Sequence, residues 1–109
     1  MKLVVNKDLQ TLRNIITSYY DSYNIINNSK VLEDTVFIVV EKFFFRNSSR
    51  ASLSIVMVAI DEFSTRIEAV GSGGGQGMIF KFDWGAKEAF EHAIPKILTQ
   101  EGITFKEVT

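Results

Sequence analysis

Glycine, arginine and short hydroxyl side chains are the residue types whose spacing in this sequence suggests chemistry. Five of the seven glycines fall within Gly71-Ser72-Gly73-Gly74-Gly75-Gln76-Gly77, between two apolar runs with strand character. Lacking a Cβ, glycine reaches positive φ and lets other groups approach the backbone, but it loses more conformational entropy on ordering than any other residue. Such a stretch is either a mobile hairpin connection with β-bulges or a nest of backbone N–H groups that binds an anion or a carbonyl-bearing ligand. The turn Arg46-Asn47-Ser48-Ser49-Arg50 adds guanidinium forks, which suit a phosphate or carboxylate. The candidate ligand-binding set is therefore Arg46, Asn47, Ser48 and Arg50 with Ser72, Gly73, Gly74, Gly75 and Gln76. The plainer alternative is that the two arginines only keep a turn soluble.

The glycine stretch matches no standard nucleotide device. A dinucleotide fingerprint needs glycines at n, n+2 and n+5, after a strand and opening a helix. Counting from Gly71, Gly73 or Gly75, the third position is Gln76, Met78 or Phe80. A phosphate loop of the Walker type needs a Gly-Lys pair, and none occurs. A nucleophile elbow would need glycine where Val70 stands.

Other catalytic material is sparse. The absence of cysteine excludes disulfides, thiolate nucleophiles and cysteine metal sites. His92 is the single histidine, one helical turn from Glu88, and two ligands fall short of a zinc site, so no metal is expected. A serine–histidine–aspartate arrangement would rest on His92 alone, without local support. Glu41 and Glu68 sit in apolar strand contexts. They read either as inward carboxylates of acid/base type or as cross-strand partners of Lys42, Arg66 or Lys81. Trp84, beside Gly85, reads as a core plug or a stacking platform, and Tyr19, Tyr20 and Tyr23 read as core or interface.

These residues must be held by a small set of elements. Asp8 caps a helix running to about Tyr20, with Leu9, Leu12, Ile15, Ile16, Tyr19 and Tyr23 on one stripe. The polar stretch from Asp21 to Asp34 carries at most a short strand near Ile25-Ile26 or Lys30–Glu33. Strands follow at Thr35–Arg46, Ala51–Ile60, Thr65–Val70 and Met78–Phe82, with a turn at Asp61–Ser64. Asp83 caps a second helix from about Gly85 to Gln100, kinked at Pro95 and ended by Gly102, and Ile103-Thr104-Phe105 is a possible last strand. In such a meander the Arg46–Arg50 turn and the glycine stretch share one end of the sheet.

Two of these strands are apolar on both faces. Phe37, Val39, Phe43 and Phe45 oppose Val36, Ile38, Val40 and Phe44, and Leu53, Ile55 and Met57 oppose Val56, Val58 and Ile60. An antiparallel sheet with a solvated face should alternate. Either one helix covers each face, or both lie on one face and a second copy covers the other.

The bulk values fit a single ordered domain over residues 1–109, with 46% hydrophobic and 23% charged residues. The net charge of −1 supplies no basic face for nucleic acid. The N-terminus lacks a signal-peptide pattern and no run is long enough for a membrane span, so a cytoplasmic protein is expected.

Segments of the second half resemble a family of short bacterial proteins of unknown function. The resemblance rests on Glu41-Lys42-Phe43-Phe44-Phe45-Arg46, on Asn47 to Leu53, on Gly71 to Gly77, and on Phe82-Asp83-Trp84-Gly85-Ala86, and covers roughly Val36 to Leu98. It implies no reaction, cofactor or partner.

The expected architecture is an α+β two-layer sandwich: a four- to five-stranded, mainly antiparallel meander with two helices packed on it. The leading functional reading is a non-enzymatic, dimeric binding module without a cofactor, holding a small anion or a peptide at the Arg46–Arg50/Gly71–Gly77 rim. The alternative is an interaction protein that assembles through its double-sided sheet, and a third reading is an enzyme using Glu41 or Glu68.

Overall fold

Burial alternates strictly along the central strands, and this alternation sets the architecture. In the computed structural model, which describes residues 1–44, 49–73 and 92–108, Val36, Ile38 and Val40 are buried while Phe37 and Val39 are only half-buried. Leu53, Ile55 and Met57 are buried while Val56 and Val58 are half-buried and Ile60 is exposed. The two apolar registers read from the sequence are thus an inner and an outer face of one sheet.

The elements run β1 (Lys2–Val5), α1 (Leu9–Tyr19), β2 (Asn24–Leu32), β3 (Thr35–Phe44), β4 (Ser49–Ala59) and β5 (Thr65–Gly73), then α2 (residues 92–100) and β6 (Phe105–Glu107). The strands form one six-stranded sheet in the order β2-β3-β4-β5-β1-β6, and every pair is antiparallel. The fold is α+β, with two helices beside a sheet larger than the four to five strands expected.

Three differences from the expected strands accompany that enlargement. Lys2–Val5 is too short for its periodicity to register, and its partner strands are distant in sequence. It pairs Lys2 with Glu68 and Val5 with Thr65, and on its other side Val5 with Phe105. The Met1 amino group donates to the Ala69 carbonyl at 2.9 Å, which fixes the start of the strand. The asparagine-rich segment is a full edge strand, not a short one. Its register shifts at Ile25/Asn27 and Lys30/Leu32 are bulges that absorb residues an unbroken alternation would not accommodate. Finally, β6 begins at Phe105, not Ile103.

Ile103 serves the helix end instead. Gly102 adopts φ +71°, the Ile103 N–H reaches the Leu98 carbonyl at 2.9 Å, and the Gly102 N–H reaches that of Thr99 at 3.1 Å. This is the Schellman pattern, and Ile103 and Leu98 both belong to the core. At the start of α1 the Asp8 carboxylate accepts from the Thr11 N–H at 3.0 Å, as its N-cap role requires. The expected strand Met78–Phe82, the Asp83 cap and Trp84 lie outside the described residues.

Leu12 and Ile16 of α1 and Ile94, Ile97 and Leu98 of α2 join the inward residues of β1, β3, β4 and β5 in one buried cluster. Both described helices therefore contribute to the inner face.

Candidate functional site

Strand pairing brings the ends of β3 and β5 and the start of β4 together at one end of the sheet. Phe43 lies opposite Arg50, Ala51 opposite Gly73, and Ser52 opposite Ser72. The common rim expected from the meander therefore exists for Arg50, Ser72 and Gly73. Arg46, Asn47, Ser48, Gly74, Gly75 and Gln76 lie outside the described residues. One boundary changes: Gly71, Ser72 and Gly73 are not loop but the last three residues of β5. Gly71 is buried on the inner face opposite Leu53, where no side chain is needed to continue the ladder.

Arg50 is already engaged within the fold. Its guanidinium lies 3.3 Å from the Glu41 carboxylate and 5.8 Å from the centroid of the Phe43 ring. The arginine side chain is 66% exposed, so this ion pair is screened and contributes at most about 1 kcal/mol. It still competes with any incoming anion for the same fork.

The adjacent part of this end is aromatic. Tyr19, Tyr20 and Tyr23 form an edge-to-face series with ring centroids 4.9 and 5.3 Å apart, and the Lys42 ammonium sits 5.1 Å from the Tyr23 ring centroid. Tyr20 is fully buried, and loss of solvation pushes its phenol above the ordinary tyrosine range, so it stays protonated. Tyr23, Asn24, Glu41, Lys42 and Phe43 line an open depression of about 390 Å³. The spacing of the tyrosines gives them a core or interface role without linking them to Lys42. That link depends on β2 pairing with β3, which the asparagine-rich segment conceals.

The two candidate acid/base residues both lie on the outer face in strand-surface pairs. Glu41 meets Arg50, and Glu68 meets Lys2, its directly opposite neighbour, at 3.6 Å. The pairs are cross-strand, with Arg50 and Lys2 as the partners in place of Lys42 and Arg66, and Lys81 lies outside the described residues. His92 is exposed at the first described residue of α2, and Glu88 lies outside the described residues. Among the described residues no group of three His, Asp or Glu converges as metal ligands. Nor, among them, is any helix long and apolar enough to cross a membrane.

The outer face carries apolar side chains of β3, β4 and β5. Phe37 pairs with Val56, Val39 with Ser54 and Thr35 with Val58, while Ser54 also faces Val70, which is 58% exposed. Directly paired residues project to the same side of a sheet, so these form an apolar patch on β3 and β4, bordered on β5 by Glu68 and Arg66, which face Val56 and Val58.

No curated protein and no solved structure matches the chain. A family model does match residues 5–102, which take in β2 to β5 and both helices, and by that match the chain belongs to a family of unknown function, DUF6054.

Proposed function

We propose that this protein is a non-enzymatic interaction module that pairs with a second copy of itself through the outer face of its sheet. The observation that carries the reading is the disposition of apolar surface. Both described helices join the inner core, yet Phe37, Val39, Val56, Val58 and Val70 occupy the other side. Half-buried and exposed apolar surface on that scale favours a partner. The four long strands, at about 4.8 Å spacing and about 3.3 Å per residue, present roughly 550 Å² of projected face. Side-chain relief raises this toward the roughly 800 Å² per partner of a standard interface. Charge does not oppose the contact. Glu41 with Arg50 and Glu68 with Lys2 are neutralised within one copy, leaving Arg66 as the one unbalanced charge among the outward residues of β3, β4 and β5.

Light scattering tests this directly. The wild-type chain is expected to have twice the monomer mass at micromolar concentration, and Ser54→Arg to have the monomer mass with an unchanged far-ultraviolet circular dichroism spectrum. Ser54 sits between Val39 and Val70, so arginine there introduces charge without removing core packing. A monomeric wild type, or a Ser54→Arg variant that stays dimeric, would overturn the proposal.

A rim site for a small anion stands second. The register that sets Ala51, next to Arg50, opposite Gly73 favours it, and the ion pair with Glu41 weighs against it. If the rim binds inorganic phosphate, phosphate raises the melting temperature of the wild type and not of Arg50→Ala; equal responses would end this reading.

A further inference from the structure

At the end of the sheet opposite Gly71–Gly73, two turns and the strand ends beside them present four of the eight large hydrophobic residues exposed among the described residues. Leu32 is 63% exposed and Val31 58%; Phe63 is 75% exposed and Ile60 54%. The β2–β3 and β4–β5 turns lie side by side. Leu32 pairs with Thr35 and Thr35 with Val58, and the Ala59 N–H donates to the Asp34 carbonyl at 2.8 Å. Four adjacent strands spread this tip over roughly 15 Å.

The same turns carry Glu33, Asp34, Asp61 and Glu62, and residues 31–35 and 59–64 contain no lysine or arginine. Lys30 lies 3.7 Å from Glu33 and partly neutralises it, which leaves three carboxylates around the apolar residues. The Phe63 ring is held out by an ordered turn. The Asp61 carboxylate accepts from the Phe63 N–H at 2.8 Å and from the Ser64 hydroxyl at 2.9 Å, and the Ile60 N–H reaches the Ser64 carbonyl at 2.9 Å. A preformed turn loses little entropy on binding.

We propose that these paired turns are a docking surface for a basic amphipathic segment of another protein, its apolar stripe on Leu32, Ile60 and Phe63 and its cationic flanks on Asp34, Asp61 and Glu62. Charge selects this occupant. A second copy of the tip would set like charges together, and an anionic lipid surface would be repelled in the same way. An amphipathic helix places anchors at i, i+3 or i+4 and i+7, about 10 Å apart at 1.5 Å per residue, which the tip can span.

The test titrates the full, isotope-labelled chain with a model amphipathic helix of leucine and lysine, and with a matched helix of leucine and glutamate. The lysine helix is expected to shift amide signals in residues 31–35 and 59–64, more weakly as salt rises, while the glutamate helix leaves them unchanged. Phe63→Ser and Glu62→Lys are each expected to weaken binding by about tenfold or more. Phe63 is too exposed for its loss to threaten the fold. Shifts located elsewhere, equal binding of the two helices, or undiminished binding to Phe63→Ser would overturn the proposal. Ser54→Arg should bind the lysine helix as the wild type does, which keeps this surface separate from the outer face.

Discussion

Single side chains do most of their work here by satisfying neighbouring backbone groups. Asp8 and Asp61 each hold a main-chain N–H, of Thr11 and of Phe63, and those hydrogen bonds keep both carboxyls below the ordinary aspartate range. A carboxyl with a lowered folded-state pKa adds stability above its unfolded value and loses it as pH falls through the folded one. For Asp8 the consequence is specific. Asp8→Asn keeps an acceptor for the Thr11 N–H but lacks the charge, so it should melt below the wild type at neutral pH. That gap should close on acidification below about pH 4. A gap that persists at pH 2 would show that the capping charge contributes nothing. Glu41 and Glu68, by contrast, lie on the outer face paired to Arg50 and Lys2, an arrangement that stabilises a surface and offers no acid/base couple.

At the scale of elements, helix ends and strand pairings divide the work. Gly102 closes α2 with φ +71°, and a Cβ built there would meet no atom within 4 Å. Its need for glycine is therefore purely conformational. Gly102→Ala should cost roughly 1–2 kcal/mol through backbone strain alone, with no change in packing. Chemical denaturation reads this as a lower midpoint at constant slope, and an unchanged midpoint would refute the strain argument. The strands show the converse dependence on context. β3 and β4 are legible because their apolar residues recur over strands of ten and eleven residues, whereas β1 has four residues and β2 is rich in asparagine. Both of the latter are strands because a neighbour pairs with them: β1 lies between β5 and β6, and β2 borders β3. Asn27 illustrates the point, since its side-chain amide donates to the Phe37 carbonyl at 2.8 Å across a bulge that no alternation pattern reveals.

For the whole molecule, the partition of apolar surface matters more than any one residue. The inner face is filled by the two helices, the outer face is proposed to meet a second copy, and the acidic tip is proposed to take a basic segment. The tip adjoins the outer face at Thr35, which Leu32 faces, but Ser54 lies mid-strand and Phe63 in the β4–β5 turn, so each contact can be tested without the other. What the amino-acid order determines by itself is local: the capped first helix, the Gly102 stop, the Asp61–Ser64 turn and the two apolar registers of β3 and β4 follow from propensity and periodicity over a few neighbouring residues. It also determines that the end of β3 and the Gly71–Gly73 end of β5 share an end of the sheet, because a meander reverses direction at every turn. Only the tertiary structure decided which register faces inward, and it did so by laying both helices on Val36, Ile38, Leu53 and Ile55 rather than on Phe37 and Val56. It likewise decided that Lys2–Val5 would sit between β5 and β6, that Lys42 would lie over Tyr23, and that the turns bearing Leu32 and Phe63 would stand side by side. Each of these depends on contacts between residues far apart in the chain. Their free energy arises on burial and pairing, and a short window of sequence cannot encode it.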